Sequence, residues 1–245
     1  MQEYMKLHFT GLSDSGLIRS NNQDAYYTDP QGRFFIVADG MGGHAGGEQA
    51  SHIATQEIHK YLLENWNSSK SSSQLLEEAL LRANEAILQD QHNHPERADM
   101  GTTAVVLVFR PGEPPWCAHV GDSRLYRLRE SQLEQITEDH TWVARALKMG
   151  DISPDEARIH PFRHVLSRCL GREDLNQVEV QQLDVKVGDR LLLCSDGLTE
   201  ELVDENIACY LQESPLIDKA AISLIEAAKQ HGGHDNITVV IVAVD

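Results

Sequence analysis

Phe34-Phe-Ile-Val-Ala-Asp39-Gly-Met-Gly-Gly-His-Ala-Gly-Gly47 is the stretch from which the rest of the chain can be read. Phe34 to Ala38 form an uninterrupted apolar run, the pattern of a strand buried on both faces. The run stops at Asp39. Glycine then fills five of the next eight positions (Gly40, Gly42, Gly43, Gly46, Gly47), and a helical pattern begins near Glu48. A carboxylate at the end of a buried strand, followed by unhindered backbone, can hold a cation. Glycines let a loop fold back and bring carbonyls or amides close to a ligand. A lone Asp-Gly would read equally well as an ordinary strand-to-helix loop, but this pattern recurs.

Leu191-Leu-Leu-Cys194 is a second apolar strand, and it ends at Ser195-Asp196-Gly197. Trp116 to Val120 is a third, ending at Gly121-Asp122, and Asp235 directly precedes the apolar run Ile237 to Val244. Strand ends can be gathered at one edge of packed sheets, so Asp39, Asp122, Asp196 and Asp235 can converge. Carboxylates that close would raise one another's pKa unless a cation neutralised them. Hard oxygen ligands favour Mg²⁺ or Mn²⁺ over Zn²⁺. Two such ions about 4 Å apart can support an in-line displacement at phosphorus, and an arginine such as Arg19 can clamp phosphate oxygens bidentately.

The remaining pattern predicts an α+β chain. Met5 to Thr10 reads as a strand. Ala25 to Thr28 and Arg33 to Ala38 read as a hairpin around Asp29-Pro-Gln-Gly32. Apolar residues at helical spacing predict helices over 47–66 and about 74–91. Gly101 to Phe109 reads as one buried strand. With Trp116–Val120, Leu125–Leu128 and Leu133–Ile136 it suggests an antiparallel meander. Residues of about 139–172 interrupt the strands as a small flap, with a capping-box start at Ser153-Pro-Asp-Glu156. The flap also carries a basic group, Arg158, His160, Arg163, His164 and Arg168. Val178–Val185 and Leu191–Cys194 read as strands joined by a hairpin turn at Val187-Gly-Asp189. Helices are predicted over 204–212 and 216–230, followed by a last strand, Ile237–Val244. No repeat or internal boundary appears, so 1–245 reads as one domain.

The chain has 38 acidic against 21 basic residues, a formal charge of −17. That disfavours a nucleic-acid backbone as partner, since such binding is driven by clustered Lys and Arg. No apolar run approaches the roughly 20 residues of a membrane helix, and Met1 to Thr10 lacks the pattern of a signal peptide. Cys117, Cys169, Cys194 and Cys209 form no C-x-x-C pair and read as free thiols of a reducing compartment. The expectation is a cytoplasmic monomer. A metal pair from His92 and His94 is a weaker reading than a solvated loop.

Six segments carry a resemblance. Ser13-Asp-Ser-Gly-Leu-Ile-Arg19-Ser-Asn-Asn-Gln-Asp24, Val37-Ala-Asp39-Gly-Met-Gly-Gly, Gly101-Thr-Thr103, Val120-Gly-Asp122-Ser-Arg124, Ser195-Asp196-Gly197 and Asp235-Asn236-Ile-Thr238 resemble, in order, the motif series of the PP2C (PPM) protein serine/threonine phosphatases, and most resemble the compact bacterial members. The resemblance implies a four-layer αββα sandwich of two antiparallel sheets flanked by helix pairs. It also implies hydrolysis of phosphoserine and phosphothreonine on a regulatory phosphoprotein, opposing a serine/threonine kinase. By that resemblance Asp39 bridges two ions, the Gly40 carbonyl binds one of them, and Asp196 and Asp235 bind the other. Asp122, with Asp196, would hold a third, weaker ion. Arg19 would bind the substrate phosphate, and Asp24 would orient the water. A metal-bridging hydroxide would attack phosphorus without a phosphoenzyme.

Two positions depart from the pattern of many eukaryotic members. Met41 stands where they have histidine, so the general acid would be His44, three residues on, or water, and Gln23 stands where they have glutamate. Other phosphatase chemistries fail on spacing. Cys117 to Arg124 is not C-x₅-R, no D-x-D follows a buried strand, and Gly121-Asp122 is not followed by histidine. The alternatives are a catalytically weak phosphoprotein-binding relative and a metal-dependent phosphodiesterase.

Overall fold

The computed structural model describes residues 5–43 and 46–245. The apolar runs become central strands because both of their faces are covered. In β3 (Phe34–Met41) the side chains alternate between two cores. Phe35 and Val37 face a second sheet, whereas Phe34 and Ile36 face helices. In β10 (Arg190–Cys194) Leu191 and Leu193 point to the same inter-sheet core, and Leu192 and Cys194 point to a different helix layer. Hence these antiparallel strands read as continuous apolar runs with no polar alternation.

The result is the expected four-layer sandwich. One sheet has the order β1-β11-β10-β7-β8, from β1 (Leu7–Asp14), β11 (Ile237–Val244), β10, β7 (Arg124–Arg129) and β8 (Gln132–Gln135). The other has the order β2-β3-β5-β6-β9, from β2 (Asp24–Thr28), β3, β5 (Ala104–Val108), β6 (Trp116–Val120) and β9 (Glu179–Gln182), with β4 (Gly101–Thr102) on β3. Every pairing is antiparallel. Helices α1 (Gly46–Asn65) and α2 (Ser72–Asn93) cover the second sheet through Ala50, Ala54, Ile58, Leu76 and Leu80. Ser71 and Gln74 form a capping box at the start of α2. Helices α6 (Asp204–Glu213) and α7 (Ile217–His231) cover the first sheet. Among the described residues no helix is long and apolar enough to cross a membrane.

Three expectations are corrected. The meander is two hairpins in different sheets: β5–β6 lie in one, the chain crosses at Gly121-Asp122-Ser123, and β7–β8 lie in the other. Likewise β9 and β10 are not a hairpin. The turn at Lys186–Asp189 carries the chain between sheets, pinned where the buried Asp189 carboxylate accepts Arg129 Nε and Nη2 at 2.8 Å each and the Lys186 amide at 2.8 Å. The strand expected over 101–109 is broken at Thr103, whose backbone and hydroxyl turn toward Asp39. A short helix, α5 (Asp196–Thr199), was not expected.

The flap emerges with α3 (Trp142–Met149), capped by Thr141, and α4 (Pro154–Ile159), capped by Ser153 in a capping box with Glu156. The bridge Thr141↔Leu166 joins its two arms, and Thr102↔Leu170 ties the returning arm to β4.

In the opening stretch, the end of β3 packs backbone to backbone against the first turn of α1. A Cβ on Gly40 would lie 2.0 Å from the Gly47 carbonyl oxygen, whereas one on Gly43 would meet nothing within 4 Å. Gly40→Ala is therefore expected to cost about 2 kcal/mol of stability, and Gly43→Ala under about 0.5 kcal/mol, by urea denaturation. Equal effects of the two substitutions would refute the close-approach reading.

Candidate active site

The two sheets bring the predicted carboxylates to one edge. Asp24 opens β2 and is the register partner of Asp39 in β3. Asp196 begins α5 directly after β10, Asp235 lies just before β11, and Asp122 sits in the crossing between the sheets. Each is the point at which the chain leaves or enters a layer. Their charges act on one another: the Asp39 carboxyl is held well above its ordinary pKa, first by loss of solvation, then by Asp24, Asp196 and Asp122. Asp122 is likewise pushed well up, by desolvation, then by Asp196 and Asp139. Asp196 is raised by desolvation in spite of a hydrogen bond with Asp39.

Asp24 is buried and bridges the sheets. Its Oδ2 accepts the hydroxyls of Thr238 (2.6 Å) and Ser195 (2.7 Å), both from the opposite sheet side. These bonds favour its charged form, but burial outweighs them and brings its pKa to about 7. Its Oδ1, and Oδ1 of Asp196, are buried with no hydrogen-bond partner. Two unpartnered carboxylate oxygens at one place, in a set made wholly of oxygen donors, fit a hard divalent cation.

Arg19 stands at the rim, about half exposed, with Nη2 2.6 Å from Asp235 Oδ2. The loop that carries it is held by Asn236. Asn236 Oδ1 accepts the Gln23 amide at 2.7 Å, and its Nδ2 donates to the Asn21 and Ser15 carbonyls at 2.9 and 3.1 Å. Asp39 is fixed from the other side. Its amide donates to Thr103 Oγ1 (2.9 Å), and its carbonyl accepts the Thr103 amide (2.9 Å) and the Thr102 hydroxyl (2.8 Å). Ser195, Thr238, Asn236, Thr102 and Thr103 are functional supports to which the sequence reading gave no role. All stand inside or beside the six motif segments, and that position was the only available signal.

The basic group of the flap divides. Arg163 and His164 line a cleft of about 1190 Å³ beside Asp122 and Asp196. His160 stacks on Trp142 with ring centroids 4.7 Å apart, and Arg168 lies 3.5 Å from Glu179. His164 contacts Glu200, whose carboxyl is pushed up to about 8 by loss of solvation and by Asp196. The side chains of His164, Asp196 and Glu200 thus converge beside the aspartate group. Met41 pairs with Gly101 at the end of β3 and presents a thioether, not a proton donor. His44 lies outside the described residues.

The protein phosphatase 2C family model matches residues 19–226. The chain is 38% identical to the serine/threonine protein phosphatase PstP of Mycobacterium tuberculosis over 96% of its own length, and spans 44% of that longer relative. It is 33% identical to the serine/threonine phosphatase stp of Listeria monocytogenes, covering 98% of this chain and 96% of that one. The crystal structure of the PstP catalytic domain in complex with two manganese ions superposes with a TM-score of 0.86 at 36% identity, covering 98% of this chain and 99% of that one. With matched motifs, topology and site architecture, the chain belongs to the protein phosphatase 2C family.

Proposed function

We propose that the protein is a metal-dependent protein serine/threonine phosphatase that hydrolyses phosphoserine and phosphothreonine on a phosphoprotein, opposing a serine/threonine kinase. The observation that carries this reading is the meeting of Asp24, Asp39, Asp122, Asp196 and Asp235 at one sheet edge with an arginine on their rim. Asp39, the Gly40 carbonyl, Asp196 and Asp235 would hold two Mg²⁺ or Mn²⁺ ions, and Asp122 with Asp196 a third. Bound there, the ions would neutralise the carboxylates, polarise the phosphoryl oxygens and make water nucleophilic near neutral pH.

The chain's own residues do the rest. Arg19, half exposed at the rim, takes two phosphate oxygens in its planar fork, which fixes the phosphorus for in-line attack. Asp24, locked by Ser195 and Thr238 and with its Oδ1 unpartnered, orients the attacking water. Met41 has no proton to give. The proton for the leaving seryl or threonyl oxygen would come from His44 or from water.

Three outcomes are expected. With Mn²⁺ the protein hydrolyses a phosphothreonine peptide and an aryl phosphate, and EDTA abolishes both. Asp39→Ala lowers kcat/KM by about a thousandfold, the equivalent of the several kcal/mol a metal site contributes. Activity that survives EDTA or this substitution would refute the proposal. His44→Ala should slow the phosphothreonine peptide more than the aryl phosphate, whose leaving group needs no proton; equal slowing would remove His44 as the acid.

A further expectation concerns stability without metal. The folded chain keeps protons on Asp24, Asp39, Asp122 and Asp196 that the unfolded chain releases near pH 4. The folded state binds more protons, so stability falls as pH rises. In chelator the melting temperature should drop as pH rises from about 4 through about 7, the range between the unfolded carboxyls and folded Asp24, and Mn²⁺ should restore it at the upper end. A chelated protein that gains stability over that range would contradict the raised carboxyl pKa values.

A further inference from the structure

His119 and His140 form a buried pair that the reaction does not use. His119 is 1% and His140 7% exposed. Their rings stack with centroids 4.6 Å apart and planes 19° from parallel, and burial lowers the pKa of both, keeping them neutral. With Glu179 they could be mistaken for a metal site. Nearly parallel rings cannot both aim an in-plane lone pair at one ion, so the cluster must be explained through its hydrogen bonds.

Those bonds lead to Asp122. The Gly121 amide donates to His140 Nδ1 at 3.1 Å, and the His140 amide donates back to the Gly121 carbonyl at 3.0 Å. His140 therefore carries its proton on Nε2, which faces Glu179 Oε1 at 3.2 Å. Its own carbonyl accepts the amide of Ser167, on the returning arm of the flap, at 2.8 Å. Glu179 in turn faces Arg168 of the same arm at 3.5 Å. His119 Nε2 lies 2.8 Å from the Glu138 carbonyl, which anchors the chain entering the flap and sets the ring on which His140 stacks.

Beneath the turn, Gly121 has φ +104° and lies so close to Thr103 that a Cβ would meet its Cγ2 at 2.6 Å. Ser123 Oγ is 2.6 Å from Thr103 Oγ1, the atom that accepts the Asp39 amide. The turn bearing Asp122 is thus clamped between Thr103, which also sets Asp39, and His140, which also holds both arms of the flap.

We propose that His140 is a positioning residue that sets the Asp122 carboxylate for the third ion and couples that ion's site to the closure of the flap. This rests on the reading of Asp122 as a ligand of that ion. Outer partners of this kind typically govern metal affinity by 10–100-fold.

His140→Phe keeps the stack on His119 but removes the Nδ1 acceptor. His140→Asn loses the ring but places an amide oxygen near the position of Nδ1. Mn²⁺ binding is followed by isothermal titration calorimetry, and flap opening by amide hydrogen exchange over 141–170. In His140→Phe the weakest Mn²⁺ site should lose about tenfold in affinity and the flap amides should exchange faster, while the tighter ions bind as in the wild type. His140→Asn should restore both properties. Asp122→Asn identifies the weak site by abolishing it.

Unchanged weak-site affinity and flap exchange in His140→Phe would overturn the proposal. So would an Asn variant no better than Phe, and so would retention of the weak site in Asp122→Asn. None of these results would touch the two-ion phosphatase reading, which stands or falls on Asp39 and EDTA. If His140→Phe does not fold, Glu179→Gln tests the flap arm alone. It should quicken exchange at Ser167 and Arg168, and unchanged exchange there would count against the coupling.

Discussion

The constraint on which this structure depends is the forced proximity of like charges. Asp39 and Asp122 are held above their ordinary pKa at one sheet edge by loss of solvent and then by neighbouring carboxylates, Asp196 among them, and Asp24 and Asp235 belong to the same group. No protein brings five carboxyls together without compensation, because each loses solvent and gains a repelling neighbour. Here compensation comes from hydrogen bonds that fix the group but do not neutralise it. Ser195 and Thr238 reach across from one sheet to Asp24 of the other, and Asn236 ties down the loop before Asp24. The scaffold holds the negative charge in place and leaves its neutralisation to a cation.

The same constraint explains the path of the chain. A long antiparallel strand would carry an aspartate out along the sheet and away from its fellows. Crossing from one sheet to the other at Gly121–Ser123 instead leaves Asp122 at the mouth of the sandwich. Breaking the strand at Thr103 frees a hydroxyl and an amide to grip Asp39. Starting α5 at Asp196 removes the next residues from the sheet immediately after the acid. The irregularities of the fold lie where a carboxylate has to be delivered.

That pattern also separates what the sequence discloses from what it does not. Strands buried on both faces, such as Phe34–Ala38 and Leu191–Cys194, appear as apolar runs, and the aspartates ending them stand out by contrast. The start of α4 followed from the capping box at Ser153, and the helices covering the second sheet from their apolar spacing. Which sheet a strand joins does not show. A turn such as Val187-Gly-Asp189 has the same local chemistry whether the chain folds back beside itself or crosses a layer. The decisive contact, Asp189 with Arg129, lies sixty residues away in sequence. Nor do Ser195, Thr238, Thr103 or His140 declare themselves. Their residue types are common in turns and strands, and their roles are set by partners that only the folded chain supplies.

Arg19 shows how the charge group and the substrate are linked. Its guanidinium lies on Asp235, and Asp39 and Asp196 also stabilise its charge. An arginine so placed is held by the anions that a metal would claim. On the proposed reading a cation taking Asp235 would remove the partner of Arg19 and leave a positive, half-exposed fork at the rim of a neutralised site. Its next-best partner is then an external anion with two coplanar oxygens, which is what a phosphomonoester presents. Lysine could be released in the same way but would lose the planar geometry. On the proposed reading the cation would precede the phosphate, because Arg19 is engaged by Asp235 until a cation takes that carboxylate.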